Sequence, residues 1–349
     1  MIIDTLIVNK KISGIGSYTI NLLKHLKKYI HFKVLTHSPE IFGNDYDFIL
    51  VPKILENNPI LRHIYLQTFL YKETIFRTYH SISLFHRGLQ IITIHDILPI
   101  LFPKRYKEQH YFFKFFLKPF IKKVDYIFTV SNNSKKDIVN FFNLSGENVF
   151  VFYPSYDEEI FRPIENKQEI INFKKKMKLD NYFLIVGAQF KHKNVELAIK
   201  VMKFFNEFKL VIVGTRKPYE DELRKLIYEL NFEEKVIIFD YLDAENLRLL
   251  YAGSSLLLFP SIYEGFGIPV LEAMAMGVPV IGTKAVEEVG GDAIEYAEFD
   301  NVESWKFAIE KVLNNKQSYI IKGFERIKNF SWDKTAYEIS MFFKRNGII

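Results

Sequence analysis

From about residue 180, short β-branched and apolar runs alternate with stretches in which apolar residues recur every three or four positions, the pattern of βαβ units in a parallel sheet. The runs predict strands at 183–186, 210–213, 236–239, 256–259 and 280–282. The stretches between them predict helices over 194–206, 219–230, 244–252 and 269–276. Pro218 and Pro269 suit first helical turns, Asp243 an N-cap and Gly277 a C-terminal stop. This half reads as a doubly wound nucleotide-binding domain. The first half is also α/β, with strands near 2–8, 32–36, 47–51, 91–95 and 125–130 and helices near 16–28, 106–121 and 134–142. Segment 157–178, with Pro163 and the run Lys174-Lys175-Lys176, is the predicted boundary between the two. There is no internal repeat and no low-complexity tract.

At 349 residues, 48% apolar and 25% charged, the chain is long enough for about two domains and is excluded from disordered and collagen-like classes. The net charge of +6 is unevenly placed: residues 1–165 hold 21 basic and 15 acidic side chains, and residues 166–349 hold 26 of each. The excess is too small for a dedicated nucleic-acid binder but suits an anionic membrane surface or acidic substrate near the first half. With no cysteine, disulfides, thiolate nucleophiles and Cys-ligated metals are excluded. The N-terminus reads as a first strand, not a signal peptide, and no apolar run approaches membrane-spanning length. The expected location is cytoplasmic, or peripheral on the cytoplasmic face of a membrane.

The most informative segment is Ser261-Ile-Tyr-Glu264-Gly265-Phe266-Gly267-Ile-Pro269-Val-Leu-Glu272, followed by Ala-Met-Ala-Met-Gly277. Its two glycines let the backbone approach a ligand closely just before a helix begins, and a helix N-terminus behind such a loop suits an anion. Glu272, about one turn into the helix, can accept two hydrogen bonds from a vicinal diol such as a ribose. The competing reading is a pair of ordinary helix-entry acids.

This block resembles the retaining glycosyltransferases of family 4, whose hallmark is two Glu separated by seven residues around a Glu-Gly-Phe-Gly core. The resemblance covers nearly the whole chain: Gly14-Ile-Gly16-Ser-Tyr18, Thr93-Ile-His95-Asp96 with Pro99, Tyr241-Leu-Asp243 with Tyr251-Ala, Glu288-Val-Gly-Gly-Asp, and Phe330-Ser-Trp332-Asp. It implies a GT-B fold, two Rossmann-like doubly wound α/β domains facing across a cleft. Residues 1–163 would form the acceptor-side domain, 178–330 the donor domain, and a last helix, 331–349, would cross back to the first.

By the same resemblance Glu272 holds the nucleotide ribose, Glu264 faces the donor sugar and its phosphate, and the amides of Gly265, Phe266 and Gly267 contact sugar or diphosphate. Lys193 neutralises the diphosphate leaving group, with help from Lys191 or Arg216, because charge builds there in the transition state. His95 faces the transferred sugar, Gly14 and Gly16 let a loop approach donor or acceptor, and Asp96 and Tyr18 lie on the acceptor side. His95 ordering its loop through Asp96 is the competing reading. Two positions depart from the pattern: Ala188 follows Gly187 where many relatives have Arg, and His192 precedes Lys193-Asn194 where others have Arg.

The implied reaction is transfer of a hexose from a nucleotide diphosphate sugar, GDP-mannose or a UDP-sugar, to a hydroxyl of a glycan or lipid-linked acceptor, with retention and without metal or other cofactor. A nucleotide-sugar epimerase and a non-catalytic nucleotide-sugar binding protein are the alternatives. Lys114, Lys118 and Lys122 recur every four residues through Lys104–Lys123, with Phe113, Phe116 and Phe120 on another face. Such a helix suits either an anionic membrane interface or a core position with a solvated face.

Overall fold

Strands covered on both faces of a parallel sheet are written as continuous apolar runs rather than as an alternation. Leu256–Phe259 and Gln90–Thr93 are accordingly buried at every position. A computed structural model describes the chain apart from residues 10–12, 56–60, 62–63, 65, 67–69 and 71. It divides into two compact units, Met1–Pro154 with Trp332–Ile349, and Ser155–Ser331.

The first unit holds seven parallel strands: β1 (Ile2–Asp4), β2 (Lys33–Thr36), β3 (Asp47–Leu50), β4 (Ile75–Arg77), β5 (Gln90–Thr93), β6 (Tyr126–Thr129) and β7 (Val149–Val151), in the order β3-β2-β1-β4-β5-β6-β7. The second holds β8 (Tyr182–Val186), β9 (Lys209–Val213), β10 (Val236–Phe239), β11 (Leu256–Phe259), β12 (Val280–Gly282) and β13 (Glu295–Tyr296), in the order β10-β9-β8-β11-β12-β13. The strand order reverses at β1/β4 in one unit and at β8/β11 in the other, where open α/β sheets bind ligands beyond the strand carboxyl ends.

Several expectations shift. The unit boundary falls after Pro154, nine residues before the expected 163, and the transferred segment packs into the second unit through Phe161, edge-on to Tyr251 at 5.7 Å. The charged stretch read as linker is a helix, Lys167–Met177. Asn166 caps its start, and Lys174, Lys175 and Lys176 sit in the last turn, where the helix dipole favours cations. Helix 16–28 begins earlier, at Gly14. Helix 106–121 is a chain of shorter turns, with Lys107–Tyr111 running into a π-helical Phe112–Leu117 and a 3₁₀ turn at Ile121–Lys123. Phe113 and Leu117 are fully buried there, and Lys118, partly buried, lies over the ring of Phe141 at 4.5 Å.

The helix Trp332–Arg345 belongs to the first unit and packs along Gly14–Leu26. Asp333 accepts hydrogen bonds from Lys28 Nζ (2.8 Å) and Tyr29 Oη (2.6 Å), which hold its carboxyl down at about 2.

At the ends of β1 and β4 a buried polar network fixes the switch point. Arg77 Nε donates to Asp4 Oδ2 (3.3 Å), Arg77 Nη2 to Ser83 Oγ (2.6 Å) and Tyr79 Oη to Asp4 Oδ1 (3.1 Å). Each charged partner is nearly without solvent contact, so this arrangement is held by complete satisfaction of its donors and acceptors.

Candidate functional site

In the second unit, the loops leaving β8 and β11 meet at the carboxyl edge of the sheet. The β8 loop makes a 3₁₀ turn at Lys191–Lys193 and ends on Asn194, whose left-handed φ of 53° starts the next helix. The amide of Ile262 donates to the His192 carbonyl at 2.8 Å, and Asn194 Nδ2 donates to the Pro260 and Phe299 carbonyls, joining the two loops. This brings Lys193 Nζ to 2.7 Å from Glu264 Oε1, with the lysine 18% and the glutamate 10% exposed.

His192 is buried. Loss of solvent, reinforced by the neighbouring Lys193, pushes its imidazole down to about 4, so it adds no charge at neutral pH. Lys191 turns outward to Glu222 (3.0 Å), away from the expected supporting role. Arg216 is exposed in the loop after β9. Ala188, where the resemblance leads one to expect Arg, is fully buried.

After Glu264 the backbone turns at Gly267 (φ +115°) into the helix Ile268–Ala275, which carries no side-chain cap. Phe266 points its ring inward, edge-on to Phe330 at 5.6 Å, so only its backbone is available to a ligand. A Cβ on Gly267 would lie 2.9 Å from Val286 Cγ1, in a conformation L-residues rarely adopt. Gly267→Ala is therefore expected to cost about 1–3 kcal/mol of stability, read from denaturant unfolding; an unchanged midpoint would show that the turn relaxes freely.

Glu272 sits in the second turn of that helix. Its Oε2 accepts from Tyr251 Oη at 2.8 Å, and Tyr251 is itself fully buried. Burial, with the nearby Asp157, raises the Glu272 carboxyl to about 7 against the lowering effect of the tyrosine hydrogen bond. Tyr251 was legible only as part of a family block; nothing in its spacing signals a partner for Glu272.

In the first unit, His95 lies one residue beyond the buried Ile94 that follows β5, and its Nε2 hydrogen-bonds the Thr78 carbonyl at 3.0 Å. Burial pushes the imidazole down to about 4, so it is neutral, with Nε2–H the donor and Nδ1 left as acceptor. Asp96 caps the amide of Leu98 at 2.9 Å, ordering the loop as a short turn. Tyr18, expected on the acceptor side, is only 3% exposed. Gly14 and Gly16 form a helix's first turn rather than a loop, and the Gly16 amide donates to the Ser13 cap at 3.1 Å.

Residues 166–326 match the family model described as glycosyl transferases group 1. The chain is 30% identical over 334 residues to the O-antigen chain mannosyltransferase RfbU of Salmonella typhimurium, covering 89% of this chain and 90% of that protein. The chain belongs to the group 1 glycosyl transferases.

This glycosyl transferase is also 26% identical to the O-antigen chain mannosyltransferase B of Escherichia coli over 70% of this chain and 67% of that one. Its fold is GT-B. HepE of Anabaena, solved with UDP-glucose, superposes with a TM-score of 0.78 over 99% of both chains at 15% identity. A sucrose-phosphate synthase of Thermosynechococcus elongatus gives 0.77 over 99% and 98% at 16% identity.

Proposed function

We propose that this glycosyl transferase moves a mannose from a nucleotide diphosphate sugar to a hydroxyl of a glycan or lipid-linked acceptor, with retention at the anomeric carbon. The observation that carries this reading is the set gathered at the β8 and β11 ends: Lys193 against Glu264, the Gly265–Gly267 backbone, an uncapped helix start, and Glu272 one turn in. The mannosyltransferase names of the relatives support the choice of sugar. Glu272 takes the ribose hydroxyls and the helix start faces phosphate. Lys193, with Arg216, offsets the charge that builds on the departing diphosphate. The bond from the sugar's anomeric carbon to the phosphate oxygen breaks while the acceptor oxygen bonds to the same face. The acceptor's proton passes to the leaving phosphate oxygen. A sugar hydroxyl donates to Nδ1 of His95. No step calls for a metal, so full activity in chelator is part of the proposal.

The test is calorimetry with GDP-, UDP- and ADP-sugars, followed by transfer assays with and without chelator and NMR of the product anomer. Binding of one nucleotide sugar and a retained anomer in chelator are expected. Epimer formed from donor alone would replace this reading with an epimerase, and binding without turnover would replace it with a binding protein.

The acceptor side we place at an anionic membrane. Tyr111 and Phe115, stacked at 6.0 Å, are exposed, Lys114 lies over the Phe115 ring at 5.4 Å, Lys107 and Lys122 are exposed in the same segment, and among the described residues no helix is long and apolar enough to cross a bilayer. Co-sedimentation with anionic vesicles at low salt is expected, weakened by Phe115→Glu and by salt. No binding at low salt would leave this face as ordinary surface.

A further inference from the structure

We propose that Tyr18 and Trp332 are positioning residues for His95, so that the segment returning to the first unit at its C-terminal end sets the orientation of the imidazole. The inference rests on the role given to His95 above.

The imidazole is fixed at Cγ by its own side chain and at Nε2 by a 3.0 Å hydrogen bond to the Thr78 carbonyl, which still lets the ring plane rock about the line between them. The Tyr18 ring removes that freedom. It stands edge-on to the imidazole with centroids 4.7 Å apart and planes at 89°. Tyr18 is held in turn by Trp332, centroids 5.3 Å apart at 71°. Such perpendicular contacts are directional as well as apolar, because the positive edge of one ring meets the negative face of the other.

Both ends of this stack are anchored. Trp332 is buried and opens the helix that Asp333 ties to Lys28 and Tyr29. Thr78 lies between Arg77 and Tyr79, which both bond Asp4, and its hydroxyl takes a 2.8 Å hydrogen bond from Thr19, the neighbour of Tyr18 on the first helix. One helix therefore carries both supports of the ring, the carbonyl side through Thr19 and the face side through Tyr18. The stack covers part of the His95 ring, which stays partly exposed, and with Nε2 on the Thr78 carbonyl Nδ1 is left as its acceptor. His80 is the ionisable neighbour close enough to feel the charge of His95, and burial likewise holds it down at about 4.

The experiment uses the full chain and four variants: Tyr18→Leu, Tyr18→Phe, Trp332→Leu and Trp332→Phe. The readouts are kcat, donor affinity by calorimetry, and the NMR titration of the His95 ring, assigned by its absence in His95→Asn. The leucine variants are expected to lose about 10²-fold in kcat, the scale of a misplaced reacting group, with donor affinity within about twofold of wild type. In them the His95 midpoint should rise toward the ordinary imidazole range. The phenylalanine variants, which keep an aromatic edge, are expected to retain both kcat and the depressed midpoint. Leucine variants with wild-type kcat and an unmoved His95 titration would overturn the proposal. If the leucine variants do not fold, the phenylalanine pair decides, since a tenfold loss in kcat from a folded phenylalanine variant would overturn it equally. Should the wild type transfer no sugar at all, the proposed function falls, while the titration still reports whether these two rings hold His95.

Discussion

Glu272→Ala should remove measurable binding of the nucleotide sugar while leaving the second unit folded. The wild-type carboxylate can accept both ribose hydroxyls while keeping Tyr251. Each hydrogen bond to a charged acceptor contributes about 1.5–3 kcal/mol, so losing two corresponds to roughly 10²- to 10⁴-fold in affinity. Calorimetry against the preferred donor measures this directly, and near-normal affinity would remove Glu272 from the ribose. The raised carboxyl adds a pH signature. With a midpoint of about 7, affinity in the wild type is expected to fall as pH drops through that value, because the protonated acid loses acceptor capacity. Glu272→Gln should bind weakly at every pH and lack that step.

The same shift predicts an effect on stability of opposite sense. The folded carboxyl binds its proton more tightly than the unfolded one, whose value is 4.5, so burial costs nothing below that value and counts against folding as pH rises through about 7. Glu272→Gln should therefore melt higher than wild type at pH 8, with the difference fading by about pH 5. Thermal melts at the two values decide it, and an equal difference at both would mean that the carboxylate is not held in a costly environment. A residue kept for ligand binding at the expense of stability is a common pattern at functional sites.

The second unit was the more legible in sequence because β8, β9, β11 and β12 are buried on both faces and so appear as unbroken apolar runs between amphipathic helices. β4 escaped detection for the opposite reason. It has three residues, one of them Arg77, which is buried only because Asp4, Ser83 and Gln90 satisfy it from distant parts of the chain. Tertiary pairing of this kind leaves no local trace. The two-residue β13 and the edge strand β7 are too short to show a period. The lysine run in Lys167–Met177 looked like a linker because one buried residue, Phe173, is all that marks its inner face. In the candidate site, the residues around the Glu264–Glu272 loop were found from composition and spacing, since glycines, a strand end and a helix start leave a local pattern. What spacing could not give was the pairing of side chains. Tyr251 against Glu272, Lys191 turned to Glu222, and Tyr18 set between His95 and Trp332 depend on which loops the sheet order brings side by side.

Lys193 carries the second large expectation. Replacing it by Ala should lower kcat by about 10²- to 10³-fold, the usual effect of removing one group aimed at developing charge, and change KM for the donor much less. A comparable loss in KM with kcat intact would make Lys193 a ground-state binding residue instead. Its contact with Glu264 makes a further demand. Because Glu264 is only 10% exposed and sits 2.7 Å from the ammonium, Lys193→Ala strands a buried carboxylate, which costs more than losing the pair as a whole. Lys193→Ala with Glu264→Gln should therefore be more stable than Lys193→Ala alone, yet no more active, since neutralising the acid restores folding but not the missing cation. The double-mutant cycle separates the two roles: a positive coupling in unfolding free energy with none recovered in kcat assigns the pair to building the site and the lysine to the chemistry. Recovery of kcat in the double variant would instead mean that the lysine acts only by neutralising Glu264.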